Sequence, residues 1–135
     1  FEAFKSVKDY LKSIEDFANI NGYVKTLLNR KRLFDFNSAN AMMKAAYLRE
    51  AVNTLFQGSA ADLIKLAMIN IYQKYKDNEN IKLLLQIHDE LVFEVKDEFG
   101  EEITFSIKNI MENIYKLNVP LKVSLSVGSS WKDLK

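Results

Sequence analysis

Leu83-Leu84-Leu85-Gln86-Ile87-His88-Asp89-Glu90-Leu91-Val92-Phe93-Glu94-Val95 sets three consecutive ionisable side chains between two apolar runs. Each run is short, rich in Leu, Ile, Val and Phe, and free of Gly and Pro, so it reads as a strand rather than a helix. Two strands this close predict an antiparallel hairpin over residues 82 to 95. Its tip is the unusual part: a tight hairpin favours Asn-Gly, Asp-Gly or another pair tolerant of positive φ, and His88-Asp89 is a poorer choice. A carboxylate on a rigid tip is well placed to hold a divalent cation, because the strands hold the ligand and the turn leaves it open to substrate. Taken alone, the same letters also describe solvated turn residues.

Outward from the hairpin, residues 98 to 117 predict a helix, with Gly100 weakening only its start, and Leu121 to Val127 predict a strand after Pro120. Upstream, Ser38 is the expected N-cap of a helix over 40 to 54. A second helix is expected from Ser59 to Tyr75, with Gly58 at the joint and Asp62 in a weak capping-box position. Tyr23 to Leu28 and Arg32 to Phe36 predict short strands around Asn29-Arg30, which leaves Arg30, Lys31 and Arg32 near an exposed turn. Phe4, Val7, Leu11, Ile14 and Phe17 or Ala18 recur at three- and four-residue steps, so residues 2 to 20 predict an amphipathic helix with a core-facing stripe, stopped near Gly22. The expected architecture is one α+β unit, helices packed on one face of a small antiparallel sheet.

Composition narrows the class. The chain has 135 residues, 48% of them hydrophobic, enough for one globular domain with a core. Cysteine is absent, which excludes a disulfide framework and thiolate metal sites and fits a reducing compartment. No apolar run has the length of a membrane span, and no membrane partner is expected. The net charge is +1, but residues 1 to 58 carry nine Lys or Arg against six Asp or Glu, and residues 59 to 135 carry ten against twelve. A basic excess ahead of an acidic hairpin suits a surface that follows a phosphate backbone beside a metal site. The abundance of Asn, Lys and Ile suggests an AT-rich coding sequence, such as that of an organelle or a parasite.

Arg49, Asn53 and Gln57 lie at i, i+4 and i+8, so on continuous helix they drift by about 40° per step and form one polar ridge. Ala46, Val52 and Phe56 lie opposite and can face the core. Long hydrogen-bonding side chains in a row suit the DNA minor groove, where base pairs present acceptors at similar places whatever the sequence; they also describe an ordinary exposed helix face. Lys65 has two readings, contact with a backbone phosphate or pairing with Asp62. His88 is the only histidine and has no serine neighbour arranged for a nucleophile relay, which argues against hydrolase chemistry.

Several strings carry a resemblance. Gln86-Ile87-His88-Asp89-Glu90-Leu91-Val92 resembles motif C of the family A DNA polymerases, the DNA polymerase I type, and Asn53-Thr54-Leu55-Phe56-Gln57-Gly58-Ser59-Ala60-Ala61-Asp62 resembles the segment before it. Gly22-Tyr23-Val24-Lys25-Thr26-Leu27 with Arg30-Lys31-Arg32 matches further upstream. Val119-Pro120-Leu121 through Val127-Gly128 to Trp131 matches at the end. The matches are collinear with the carboxyl-terminal part of such polymerases and cover essentially the whole chain. The family commonly has Pro where Leu55 stands, Thr where Ser59 stands and Gly where Asn29 stands; only Leu55 changes backbone stiffness.

The resemblance implies a palm fold, primer-template DNA and deoxynucleoside triphosphates as partners, and a two-metal Mg²⁺ mechanism. It makes Asp89 the metal-binding aspartate, Glu90 a neighbour that tunes the site and His88 a residue near the primer terminus. Arg49, Asn53 and Gln57 match residues that contact template and primer near the nascent pair, and Arg30, Lys31 and Arg32 become candidate DNA contacts. Asp62 is read as a cap, Glu94 as too far from the tip, and Trp131 as a packing residue. The family's second metal-binding aspartate and its fingers helix are not in the sequence, and the chain starts at Phe1 rather than Met. The expectation is therefore a carboxyl-terminal palm segment that works with the remainder of a polymerase chain and does not polymerise DNA by itself. The contrasting expectation is a noncatalytic nucleic-acid-binding α+β module.

Overall fold

The computed structural model describes residues 2 to 134, and the chain divides into two compact units, Phe1–Asp62 and Leu63–Lys135. The elements are α1 (Glu2–Asn21), β1 (Tyr23–Lys25), β2 (Lys31–Leu33), α2 (Ala41–Tyr75), β3 (Ile81–Ile87), β4 (Glu90–Val95) and α3 (Gly100–Glu112). The class is α+β, and the antiparallel strands form two two-stranded sheets, β1-β2 and β3-β4. Among the described residues no helix is long and apolar enough to cross a membrane.

In the first unit, α1 ends where Gly22 takes φ 75°, its N–H bonded to the Ala18 carbonyl at 2.7 Å, a left-handed cap that suits glycine. The core gathers Ile14, Ala18, Val24, Phe36 and Ala51, with Phe34, Tyr47, Leu48, Val52 and Leu55 packed against it. The predicted α1 stripe is buried only at Ile14 and Ala18; Phe4 and Val7 are 70% and 55% exposed, because the core of this unit begins at Ile14. The first hairpin pairs Tyr23 with Leu33, Val24 with Arg32 and Lys25 with Lys31. Its strands are shorter than expected because residues 26 to 30 make the turn, where Thr26 N–H bonds the Arg30 carbonyl and Asn29 N–H bonds the Thr26 carbonyl, both at 2.9 Å. Asn29 has φ 66°, a conformation Asn tolerates better than most residues.

The two helices expected over 40 to 54 and 59 to 75 are one helix of 35 residues. Its N-cap is Asn40, whose Oδ1 accepts the Met43 N–H at 2.8 Å, and not Ser38, whose own N–H bonds Asp35 Oδ1 at 3.3 Å. Leu55 keeps the backbone N–H that Pro would lack, so nothing interrupts the ladder there. Gly58 marks a close approach instead of a joint: a Cβ on it would stand 2.7 Å from Thr26 Cγ2.

In the second unit, β3 and β4 pair from Ile81–Val95 to Ile87–Glu90, with a bulge between Leu83 and Leu85. Ile71, Ile81, Ile103 and Ile107 form the core, joined by Tyr75, Leu91, Phe93, Val95, Ile110 and Met111. Thus the tail of α2 and one face of α3 hold the hairpin. The helix predicted to reach 117 stops at Glu112, where the Asn113 side-chain amide takes the Asn109 carbonyl at 2.8 Å, a local bond that competes with further helix. The strand expected over Leu121 to Val127 does not form. There the Val123 N–H goes to the Glu112 carboxylate at 2.8 Å, so a side chain takes the place of a ladder partner. Trp131, expected to pack, is 60% exposed.

Candidate nucleotidyl-transfer and DNA-contact residues

The hairpin in the second unit turns in two residues, His88 and Asp89, between the paired Ile87 and Glu90. His88 has φ 53°, the left-handed region that disfavours a side chain by about 1–2 kcal/mol. The Gln86 side-chain amide donates to the His88 carbonyl at 2.7 Å and braces the tip from within the hairpin. His88, Asp89 and Glu90 are all exposed. Among the described residues none of their side chains is held by a hydrogen bond or ion pair. The Asp89 and Glu90 oxygens are therefore open to an external ligand, with strand pairing to carry them. Among the described residues no three His, Asp or Glu side chains converge on one point, so any cation at Asp89 needs oxygen donors from outside this set.

In the first unit, the continuous helix gives the ridge the geometry its spacing requires, and Arg49, Asn53 and Gln57 are all exposed. Of the residues expected opposite, Val52 packs on the core and Ala46 is half-buried. Phe56 is 50% exposed, its ring edge-on to Tyr10 at 6.3 Å. Ala51 and Leu55 take the core-facing place instead.

The basic turn is less free than its sequence suggests. Arg32 donates to Glu50 at 3.1 Å and to Thr54 at 2.8 Å, and Lys31 Nζ stands 4.4 Å from the centre of the Tyr23 ring. Arg30 Nη2 lies 3.0 Å from Asp62 Oδ1. Asp62 is not a cap: it sits inside α2, 2% exposed, and accepts the Thr26 hydroxyl proton on Oδ2. With Arg30 as the partner of Asp62, Lys65 is left exposed on α2.

Thr26, Ser59 and Asp62 are the site-supporting residues that sequence reasoning missed. Ser59 Oγ accepts the Leu27 N–H at 2.9 Å, so the hairpin turn and α2 are joined at both residues. The missed signal lay in the periodicity. Ala51, Leu55, Gly58 and Asp62 recur at helical spacing on the inward side of α2, and a carboxylate on such a face demands a buried partner.

The POL domain of Pol1 from M. smegmatis, solved in complex with DNA primer-template and dNTP, superposes with a TM-score of 0.92 at 43% sequence identity, over 99% of this chain and 24% of that one. The fold is thus that of a segment of a polymerase domain. The DNA polymerase family A model matches residues 1–133, and the chain belongs to that family. It is 43% identical to DNA polymerase I of Helicobacter pylori (strain ATCC 700392 / 26695), over 100% of this chain and 15% of that protein. It is 44% identical to DNA polymerase I of Bacillus caldotenax, over 100% of this chain and 16% of that protein. The chain therefore spans about 15% of the length of these relatives.

Proposed function

We propose that the chain is the carboxyl-terminal palm part of a template-directed DNA polymerase, one that extends a primer 3′ end with deoxynucleotides. The fingers, the thumb, any exonuclease domain and the second metal-binding aspartate belong to other parts of that polymerase. The observation that carries this reading is the hairpin tip, where a family motif, His88-Asp89-Glu90, occupies a strained turn and leaves its side chains uncommitted. Strain kept at a tip whose side chains make no hydrogen bond or ion pair among the described residues fits a tip selected for chemistry.

Asp89 holds the Mg²⁺ pair together with the partner carboxylate, Glu90 tunes the site, and His88 stands near the primer terminus. Bound there, the two ions supply activation of the primer 3′ hydroxyl and neutralisation of the triphosphate. Two exposed, hard oxygen donors on a paired turn fit such ions, because Mg²⁺ keeps several waters and needs only one or two carboxylates. Arg49, Asn53 and Gln57 read pair geometry in the minor groove without reading sequence, a check that a polymerase needs at every step. The basic turn of Arg30, Lys31 and Arg32 supplies the contacts to the DNA backbone, with Arg32 paired to Glu50 and Thr54 in the free segment. Phe4, Val7, Leu33 and Met42 are 55% to 82% exposed, and a segment that packs against the remainder of a larger enzyme accounts for such apolar surface. By the same reasoning the isolated segment does not polymerise DNA. The polymerase works in a compartment that holds DNA.

The test is Mg²⁺-dependent primer extension by the complete polymerase, wild type against Asp89→Asn, on a duplex that both bind. Extension reduced by several orders of magnitude with binding retained is the expected result. An inactive wild type that still binds DNA would favour the noncatalytic module.

A further inference from the structure

Among the described residues of the first unit the Asp62 carboxylate is the one buried charge, and its surroundings are asymmetric. Oδ2 takes the Thr26 hydroxyl, and Thr26 is itself only 5% exposed. Oδ1 has no hydrogen bond but lies 3.0 Å from Arg30 Nη2, an ion pair outside hydrogen-bonding geometry. The Asp62 side chain is 1% exposed and that of Arg30 is 57% exposed. Thr26 closes the loop, because its Oγ1 also accepts the Arg30 backbone N–H at 3.1 Å. Arg30 is thereby held at both its backbone and its guanidinium, yet its N–H donors remain available on the solvent side. Beside it, Lys25 and Lys31 face each other across the hairpin, both over the Tyr23 ring, at 5.8 and 4.4 Å. Like charges directly opposite are unfavourable in the free protein, and an anion between them relieves the repulsion.

From this arrangement we infer that Asp62 is a positioning residue, whose buried carboxylate aims the free edge of the Arg30 guanidinium at a backbone phosphate of the primer-template. The inference rests on the polymerase reading above and adds to it a division of labour within the basic turn. Arg30 is the oriented phosphate contact, Lys25 and Lys31 add unoriented charge, and Arg32 is committed to Glu50 and Thr54. A planar guanidinium anchored at Nη2 by the ion pair to Asp62 keeps its remaining donors for a phosphate and loses less freedom on binding than an unpaired one.

Electrostatics and positioning predict opposite signs, which makes the test sharp. Asp62→Asn removes a negative charge near the DNA path, so Coulomb attraction alone would tighten binding. Orientation of Arg30 predicts weaker binding instead, by about three- to fivefold, because one charge-assisted contact is loosened. Binding of a primer-template duplex to the complete polymerase is measured by fluorescence anisotropy across a salt series for wild type, Asp62→Asn, Arg30→Gln and the double variant. Arg30→Gln is expected to weaken binding by about five- to tenfold and to lower the salt slope by about one. Asp62→Asn is expected to bring no further weakening once Arg30 is gone, because only the Coulomb term is left. Affinity and salt slope unchanged in Arg30→Gln overturn the inference even if Asp62→Asn fails to fold, and tighter binding by a folded Asp62→Asn overturns it as well. A wild type that binds no primer-template brings down the polymerase reading and this inference together.

Discussion

Asn29 and His88 are the non-glycine residues with positive φ among those described, at 66° and 53°, and each sits in the turn of a hairpin. The first turn is tied down from outside itself: Thr26 to Asp62, Leu27 to Ser59, Arg30 to Asp62, with Gly58 leaving room for Thr26. Among the described residues the second turn is braced by its own Gln86 alone, and its three ionisable side chains are exposed. Left-handed backbone therefore means different things in the two places. At Asn29 a tolerant residue serves a fold-defining contact between hairpin and helix. At His88 a less tolerant residue is kept on a tip that is exposed among the described residues, which is where function is expected to dictate identity.

Substitutions can break this contrast, and they differ in size. The largest effect falls on the tied turn: Asp62→Leu leaves the Thr26 hydroxyl without an acceptor and Arg30 without its partner, and is expected to cost about 2–3 kcal/mol. The loss would register as faster hydrogen exchange over residues 24 to 31, and unchanged exchange there would mean that the tie is ornamental. Gly58→Val pushes a side chain into Thr26 and is expected to cost about 2 kcal/mol, read in the same amides. Asn29→Val, a β-branched residue at positive φ, is expected to cost about 1–2 kcal/mol in thermal unfolding with the polymerase's catalytic rate retained. The smallest stability change has the opposite sign. His88→Gly relieves the tip and is expected to stabilise the second hairpin by about 0.5–1 kcal/mol while single-turnover nucleotide incorporation slows. If that variant were both more stable and equally fast, His88 would have no functional claim on the turn.

The sequence made some of these features legible and hid others for physical reasons. The hairpin at 82 to 95 stood out because strand alternation and a poor turn pair are local signals, and β3 and β4 lie where they point. The Arg49-Asn53-Gln57 ridge needed only continuous helix, which α2 provides. Gly58 and Ser59 misled because a glycine followed by a capping residue looks like a helix boundary. Here both serve a tertiary contact with residues more than thirty positions earlier, Thr26 and Leu27, which no local pattern records. Asp62 was misread for the same reason. The strand expected over 121 to 127 failed differently: its side chains alternate apolar and polar as a strand's do, but the backbone needs a ladder partner, and Val123 finds the Glu112 carboxylate instead.

Whether the bare tip holds metal is decided by diffraction from crystals of the complete polymerase with primer-template, incoming nucleotide and Mn²⁺ in place of Mg²⁺. Anomalous scattering locates each ion independently of the protein density. A metal-holding tip predicts an ion within inner-sphere distance of an Asp89 carboxylate oxygen, at about 2.1 Å. Ions bound at the triphosphate with Asp89 outside coordination range would contradict it.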